Sequence, residues 1–196
     1  MKRCDETGII YFTDYERYRN DDGSVNENFN KKNGGYILDV KQNIEIGINY
    51  YYHRFIKELT NTDDIKKAQI ITCMPSSQKD RISEGLKRIC IMICRRFNNI
   101  KYIKCLNRYK TIDKLAYGGD RNKNVHFNSI EICCEEDIIA NKNIILLDDV
   151  TTTGNSLLAA KKILEYAGAR NVECIALAKT KERNTVYECF NNFNIT

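Results

Sequence analysis

The chain has 196 residues, of which 42% are hydrophobic, so a single domain of ordinary size can bury a full core. Its formal charge of +5, from 31 basic and 26 acidic residues, is weaker than we expect of a dedicated nucleic-acid binder and suits a phosphorylated small molecule. No stretch approaches the roughly 18 apolar residues of a membrane span, and the amino terminus has no long apolar segment after its charges. We therefore expect a cytoplasmic protein that has no membrane partner.

The cysteines indicate free thiols rather than disulfides or a zinc site. There are nine of them, an odd number, and only two histidines accompany them. Cys90 and Cys94 share a helix face, Cys133 and Cys134 are adjacent, and neither pair is a C-x-x-C zinc half-site. Small buried thiols in a reducing compartment are the simpler interpretation.

Residues 1–45 do not show a regular alternation of strands and helices. Ile9–Tyr18 predicts a strand or hairpin arm, Asn20–Gly35 a polar loop, and Tyr36–Val40 a further strand. We expect these residues to form a small cap, or hood, over the carboxyl ends of the strands that follow, where such sheets bind ligands.

From residue 46 onwards, apolar runs alternate with helical periods. The first half of this region predicts, in order, a helix at Ile48–Leu59, a strand at Ala68–Met74, a helix at Ile82–Ile93, a strand at Tyr102–Leu106 and a long basic loop at Asn107–Asn124 with some local helix. A strand through Val150, a helix that starts near Asn155 or Ser156 and stops at Gly168, and a strand at Val172–Ala178 follow. The pattern predicts one α/β domain with a doubly wound, mainly parallel sheet, a core at 46–180 and a tail at 181–196.

The stretch Ile144–Ser156 reads IILLDDVTTTGNS and combines a buried strand, two aspartates and a loop suited to an anion. Gly154 permits backbone angles that a side chain would oppose, and a helix N-terminus points into the loop, so the loop can cradle a phosphate. Asp148 and Asp149, at the end of the strand, can accept hydrogen bonds from vicinal hydroxyls nearby. A ribose 5-phosphate meets both requirements.

This stretch resembles the phosphoribosyl-pyrophosphate (PRPP) motif of type I phosphoribosyltransferases. The resemblance implies an enzyme that binds PRPP with Mg²⁺ and transfers ribose 5-phosphate to a nucleophile, a nucleobase or an amine, with release of pyrophosphate. It implies that Asp148 and Asp149 hold the ribose and act in catalysis, and that Mg²⁺ is bound through ligand and water oxygens rather than directly by the protein. The implied PRPP-binding residues are Asp148, Asp149, Val150, Thr151, Thr152, Thr153, Gly154, Asn155 and Ser156.

The wider chain is similar to the ComF-like (competence protein F) branch of that family, in which a lysine follows an early strand and a proline-bearing turn follows the first core strand. Here these are Lys41 and Pro75, and L-x-R at Leu106–Arg108 and R-x-x-N at Arg121–Asn124 complete the pattern. The zinc module usual in that branch is missing. The resemblance implies a pyrophosphate loop at Pro75, Ser76 and Ser77, a mobile lid with Arg108, Lys110 and Arg121, and an additional role for Lys41.

Several alternatives remain open at the level of sequence. A Walker B element would need G-x-x-x-x-G-K-[ST] upstream, which is absent. A plain turn with a helix cap explains Pro75–Ser77 about as well as a pyrophosphate loop, and solvated surface charge would explain the basic residues of the lid. The chain could also be a regulator that binds PRPP without catalysis, or a DNA-uptake accessory protein. The acceptor is unknown, and the oligomeric state is open, with a homodimer among the arrangements considered.

Overall fold

The computed structural model describes residues 1–19, 23–27, 29, 31–59, 62–112 and 123–181. The strands of this part are β1 (Lys2–Arg3), β2 (Ile10–Tyr15), β3 (Ile70–Cys73), β4 (Lys101–Tyr102), β5 (Leu106–Arg108), β6 (Ile130–Ile132), β7 (Asn143–Thr151) and β8 (Asn171–Thr180). The helices are α1 (Lys31–Lys41), α2 (Glu45–Leu59), α3 (Asp63–Lys67), α4 (Glu84–Arg96), α5 (Lys123–Phe127), α6 (Glu136–Ile139) and α7 (Asn155–Tyr166).

Six strands form the main sheet in the order β1-β2-β8-β7-β3-β4. Only β1 runs antiparallel to its neighbour, and the other described pairs are parallel. The order places β7 between β3 and β8, so the carboxyl ends of three adjacent strands meet at one edge. A second sheet holds β5 and β6, which pair antiparallel.

The central strand β7 is buried on both faces because its apolar residues alternate between two cores. Ile145 and Leu147 belong to a core that includes residues of α1, α2 and α4. Ile144 and Leu146 belong to a second core that includes residues of α7 and β6. Apolar residues at consecutive positions therefore satisfy a strand covered on both sides. The prediction of a doubly wound, mainly parallel α/β sheet is confirmed.

The helices that flank the site are specified locally. In α4, the N-cap Ser83 accepts a hydrogen bond from Leu86 N at 3.3 Å, and Leu86, Ile89 and Ile93 are buried on one face. In α7, the helix ends just before Gly168, which has a φ of 93°, as predicted for a left-handed stop.

The strand predicted at Tyr36–Val40 is wrong, because these residues belong to helix α1. Ile37 and Val40 are three positions apart, which places both on one helix face, and both are fully buried in the first core. An apolar run of five residues fits a strand or a helix, and here contact with α2 decides. The helix starts at Lys31, so the loop predicted for Asn20–Gly35 is also shorter than expected.

The region after Ile100 differs from the sequence prediction too. The strand predicted at Tyr102–Leu106 is two short strands in different sheets, since β4 ends at Tyr102 and β5 begins at Leu106. The basic loop predicted from Asn107 therefore starts inside β5. The elements β6 and α6 were not predicted at all.

The division into a cap at 1–45 and a core at 46–180 stays a prediction. Within residues 1–45, β2 is a strand of the main sheet and α1 contributes to the first core. The predicted tail at 181–196 lies outside the described residues except for Lys181.

Two further expectations concern the thiols and membrane segments. The eight cysteines in the described ranges are free, and Cys4, Cys73, Cys90, Cys105 and Cys174 are buried, as expected for reduced thiols. Among the helices of the described residues, none combines the length and the apolar composition that a membrane crossing requires.

Candidate active site

Asp148 and Asp149 lie near the carboxyl end of β7, where the strand leaves the buried core, and both are half-buried. Their carboxylates are held by neighbouring backbone amides: Asp149 N donates to Asp148 Oδ1 at 2.8 Å, and Val150 N donates to Asp149 Oδ1 at 2.6 Å. Each aspartate also has a second carboxylate oxygen, and the pair lines one edge of a large pocket.

A lysine from α1 approaches the second aspartate. Lys41 Nζ lies 2.7 Å from Asp149 Oδ2. Burial disfavours the charged ammonium, but the Asp149 carboxylate outweighs this effect and raises the pKa of Lys41 above its ordinary value. Lys41, which the sequence analysis placed in the site through its resemblance alone, is thus in contact with the aspartate pair.

The first aspartate titrates close to neutral pH. Burial and then the neighbouring Asp149 raise the pKa of Asp148 to about 7, while the Asp149 amide, Lys41 and Arg108 oppose that rise. A cationic or hydroxyl-bearing ligand in the pocket would favour the charged form by supplying the partners that water and backbone supply incompletely.

The loop after β7 forms a small pocket of about 60 Å³. One water needs roughly 10–15 Å³ by this measure, so the pocket has room for a group of several heavy atoms such as a phosphate. Gly154 has a φ of 82° and is the N-cap of α7, so the free N–H groups of the first helical turn lie at the loop. The lining residues are His126, Asp148 and Val150–Ser156.

A turn at the amino terminus supports this loop from outside. Residues Cys4–Ile9 fold back on themselves, with Cys4 N donating to Ile9 O at 2.9 Å and Gly8 N donating to Cys4 O at 2.7 Å. A Cβ placed on Gly154 would lie 2.6 Å from Ile9 Cδ1 and 3.3 Å from Thr7 Cγ2. Gly154 is therefore required by its backbone angles and also by close packing.

The second loop, from Pro75 to Ile82, follows β3. It forms a narrow turn in which Ser76 N donates to Arg81 O at 2.8 Å. Residues after β5 hold it in place: Ile112 N donates to Ser77 O at 3.0 Å and Asp80 N donates to Arg108 O at 2.9 Å. Pro75, Ser76 and Ser77 line the large pocket, in the position expected for a pyrophosphate loop.

Arg108 is not the exposed residue of a mobile lid that the sequence suggested. It lies in β5 with 2% of its surface exposed. Its Nε donates to Ser76 O at 2.5 Å, and its Nη1 donates to Ser129 Oγ at 2.6 Å. Burial lowers the pKa of Arg108 from its usual value, and the charge of Asp148 opposes that shift. The side chain thus links the Pro75–Ile82 loop to the turn after α5.

The large pocket, of about 610 Å³, brings most of the predicted site residues together. It shares His126, Asp148, Val150 and Ser156 with the small pocket, so the two form one continuous site. Lys110 is exposed and is not among the residues that line this pocket. Arg121 lies outside the described residues. The other predicted residues that line it are Lys41, Pro75, Ser76, Ser77, Arg108 and Asp149.

Two residues of the site escaped the sequence analysis. His126, in α5, lines both pockets, and Ser156 Oγ lies 3.1 Å from its Nε2. Arg81 is exposed and lines the large pocket beside Ser76 and Ser77. The available signals were weak: Arg81 closes the turn after Pro75, and His126 follows the R-x-x-N segment by two positions.

The described residues contain no cluster of three or more His, Cys, Asp or Glu side chains that could hold a metal ion. Asp148 and Asp149 are two adjacent carboxylates on a pocket, which fits an ion that takes most of its ligands from a substrate and water.

Comparison with known proteins identifies the family of the carboxyl-terminal part. Residues 101–194, just under half of the chain, match the family model of the phosphoribosyl transferase domain. This range includes β7, the aspartate pair and the loop after it. The predicted enzyme class, a phosphoribosyltransferase, is confirmed at the level of this domain family, whereas no curated protein matches the chain.

Solved structures with a similar fold are distant in sequence. One is an allosteric regulatory enzyme of purine biosynthesis, at 14% identity and a TM-score of 0.42, matched over 67% of this chain and 25% of its own. Another is a purine phosphoribosyltransferase from Pyrococcus horikoshii Ot3, at 14% identity and a TM-score of 0.37, over 67% of this chain and 69% of its own. A third is a hypoxanthine-guanine phosphoribosyltransferase from Bacillus anthracis, at 10% identity and a TM-score of 0.40, over 76% and 74%.

Proposed function

We propose that the chain binds PRPP together with Mg²⁺ and transfers its ribosyl 5-phosphate to a nucleobase or an amine, with release of pyrophosphate. The observation that carries this proposal is the position of the aspartate pair on one continuous site. The pair has the Thr151–Ser156 loop on one side and the Pro75–Ser77 loop on the other. A ligand with an anion at each end and a diol between them matches this order, and PRPP is such a ligand.

Each part of PRPP has a complementary group in the site. The amides at the start of α7 and the hydroxyls of the Thr151–Ser156 loop suit the 5-phosphate dianion. Asp148 and Asp149 offer oxygen acceptors for the two ribose hydroxyls. Arg81 and the loop at Ser76–Ser77 line the opposite end, where a pyrophosphate would lie.

The chemistry asks for position and charge rather than for a protein nucleophile. The bond between C1 of the ribose and the pyrophosphate oxygen breaks, a bond from C1 to the acceptor nitrogen forms, and the acceptor gives up a proton. Positive charge develops on the ribose ring, and the aspartate carboxylates lie where they can offset it. The negative charge leaves with the pyrophosphate towards Arg81.

Magnesium fits this site as an ion held by substrate oxygens and water. When bound, it would neutralise part of the pyrophosphate charge. Asp148 and Asp149 are the residues of this chain that would approach it, directly or through water.

We also propose the ComF-like branch as the nearest subfamily. Two residues that the branch resemblance singled out, Lys41 and Arg108, line the large pocket. Both exert charge on Asp148, whose pKa they lower. Neither residue belongs to the PRPP motif, so their presence at the pocket supports the resemblance beyond that motif.

The test combines binding and turnover. Calorimetry should show that PRPP binds, that Mg²⁺ strengthens this binding, and that ribose 5-phosphate binds without Mg²⁺. Asp149→Asn should weaken PRPP binding by about ten- to a hundredfold, since a hydrogen bond to a charged group contributes roughly 1.5–3 kcal/mol. Asp137→Asn, an exposed carboxylate in α6, is the matched control and should bind as the wild type does.

A screen of nucleobases and amines for release of pyrophosphate from PRPP then separates the hypotheses. Release with one acceptor supports the transferase. Tight PRPP binding without release for any acceptor would favour a PRPP-sensing regulator. Folded protein that binds neither PRPP nor ribose 5-phosphate would refute the proposed function, and salt-dependent DNA binding in that case would favour the accessory protein.

A further inference from the structure

His126 is a buried histidine at the junction of the two pockets. Its side chain is 3% exposed, and it lines both the small pocket and the large one. Ser156 Oγ, in the first turn of α7, lies 3.1 Å from its Nε2. The small pocket otherwise consists of β7 and the loop that follows it, so His126 is the lining residue that another part of the chain contributes.

The position of His126 is fixed from behind. Ser129 Oγ donates to the carbonyl oxygens of Val125 at 2.7 Å and His126 at 3.1 Å. Arg108 Nη1 in turn donates to Ser129 Oγ at 2.6 Å. The turn after α5 is therefore anchored to a buried guanidinium, and the imidazole is held against the phosphate loop.

We propose that His126 and Ser156 form a donor pair that binds the phosphate monoester in the small pocket. An imidazole N–H that donates to Ser156 Oγ leaves the hydroxyl proton of the serine for a phosphate oxygen, and the second ring nitrogen can donate as well when it is protonated. The pair adds side-chain donors from α5 and α7 to the backbone amides of the loop. This inference rests on the proposed function, because it assigns the small pocket to the 5-phosphate of the substrate.

The geometry argues against a purely structural histidine. A histidine that only packs has no need of a place on the wall of an anion-sized pocket. Asp148, the lining carboxylate of the small pocket, repels a phosphate when it is charged, so a donor opposite the loop is the group that the pocket needs to hold a dianion.

The composition of the chain makes a direct test simple. There are two histidines, His53 and His126, and His53 is exposed on α2. Imidazole signals in a proton–carbon NMR spectrum can be assigned with the variant His53→Asn. We expect titration with ribose 5-phosphate, and with inorganic phosphate, to shift the His126 signal and to leave the His53 signal in place.

Affinity measurements locate the effect at one end of the site. His126→Asn, and His126→Phe as a variant that keeps the volume filled, should weaken binding of ribose 5-phosphate by about ten- to a hundredfold, the loss expected for a hydrogen bond to a charged group. Binding of pyrophosphate should change less than about threefold, because pyrophosphate contacts the Ser76–Ser77 end. His53→Asn should match the wild type in both assays.

The outcomes separate this inference from the proposed function. Wild-type protein that binds ribose 5-phosphate while the His126 signal stays unchanged, or variants that bind it as tightly as the wild type, would overturn the role of His126 and leave the proposed function standing. Equal losses for ribose 5-phosphate and pyrophosphate would also overturn it, since they indicate a general effect on the site. Wild-type protein that binds no ribose 5-phosphate would refute both.

Discussion

The ammonium of Lys41 lies 2.7 Å from the carboxylate of Asp149, so the last residue of α1 meets the end of β7 across the pocket. The two residues are more than a hundred positions apart in sequence. The contact joins the amino-terminal segment to the aspartate pair, and the charge of Lys41 also lowers the pKa of Asp148. Lys41 thus sets the net charge that an incoming anionic substrate meets.

Replacement of this lysine should therefore weaken substrate binding. In Lys41→Met the aspartate pair loses a neighbouring cation, and we expect PRPP to bind about tenfold more weakly, as for one lost charge-assisted contact. The pKa of Asp148 should rise above that in the wild type, which an NMR titration of its carboxyl carbon would show. Lys57→Met, on the exposed face of α2, is the control. Unchanged PRPP affinity in Lys41→Met would mean that the ion pair is structural only.

The titration of Asp148 predicts how stability depends on pH. Its pKa of about 7 in the folded protein lies above the ordinary value near 3.8, so the folded state binds the proton more tightly than the unfolded chain does. Between these two values the folded state holds more protons, and the Asp148 contribution to the free energy of unfolding falls as the pH rises. This contribution destabilises the protein most above pH 7.

Asp148→Asn removes that penalty. Each pKa unit corresponds to about 1.4 kcal/mol, and water in the pocket reduces the effect, so the gain in stability should be about 1–2 kcal/mol larger at pH 8 than at pH 5. Urea unfolding at the two pH values measures this difference, and Asp137→Asn should show none. A gain that is larger at pH 5 would contradict the assignment of the raised pKa to Asp148.

Gly154 allows a test of the loop itself. Gly154→Ala imposes a side chain at a φ of 82° and places its Cβ 2.6 Å from Ile9 Cδ1, the flexible end of a side chain. We expect a stability loss of about 1–2 kcal/mol from the left-handed backbone and a loss of ribose 5-phosphate binding, because the loop must shift. Larger residues such as valine should have the same effect on binding with a greater loss of stability.

The matched control for this substitution is Gly23→Ala. Gly23 has a similar φ of 84°, and a Cβ there would meet no atom within 4 Å. It should lose comparable backbone stability and keep its affinity for ribose 5-phosphate. If both variants bind normally, the phosphate lies elsewhere.

The part of the site that sequence could predict is the part that is local in the chain. Strand, aspartates, loop and helix start follow one another between residues 143 and 156, so their order in sequence is their order in space. The motif therefore defines one wall of the site directly. The same holds for the turn at Pro75, which follows β3 immediately.

The other wall depends on contacts between distant residues. Arg108 becomes buried because β5 pairs with β6, in the register Arg108 with Ile130, and that short pairing leaves no periodic signal in the sequence. His126 reaches the phosphate loop only because α5 packs against α7. Likewise, Tyr36–Val40 has the composition of a strand, and its burial against α2 makes it a helix. Sequence patterns that are short and determined by tertiary contacts are the ones that local reasoning misses.

Arg108 offers the sharpest test of that second wall. Its guanidinium bridges Ser76 O and Ser129 Oγ, at 2.5 Å and 2.6 Å, which a lysine ammonium on a single atom cannot reproduce in this geometry. Arg108→Lys should therefore lose about 1–3 kcal/mol of stability, because a buried acceptor loses its donor. It should also weaken pyrophosphate binding more than ribose 5-phosphate binding, since Ser76 lies at the pyrophosphate end. Lys110→Ala, two positions away and exposed, should leave stability unchanged. Denaturant unfolding and calorimetry with the two ligands measure these effects, and an Arg108→Lys protein as stable as the wild type would show that the bridge does not hold the loop.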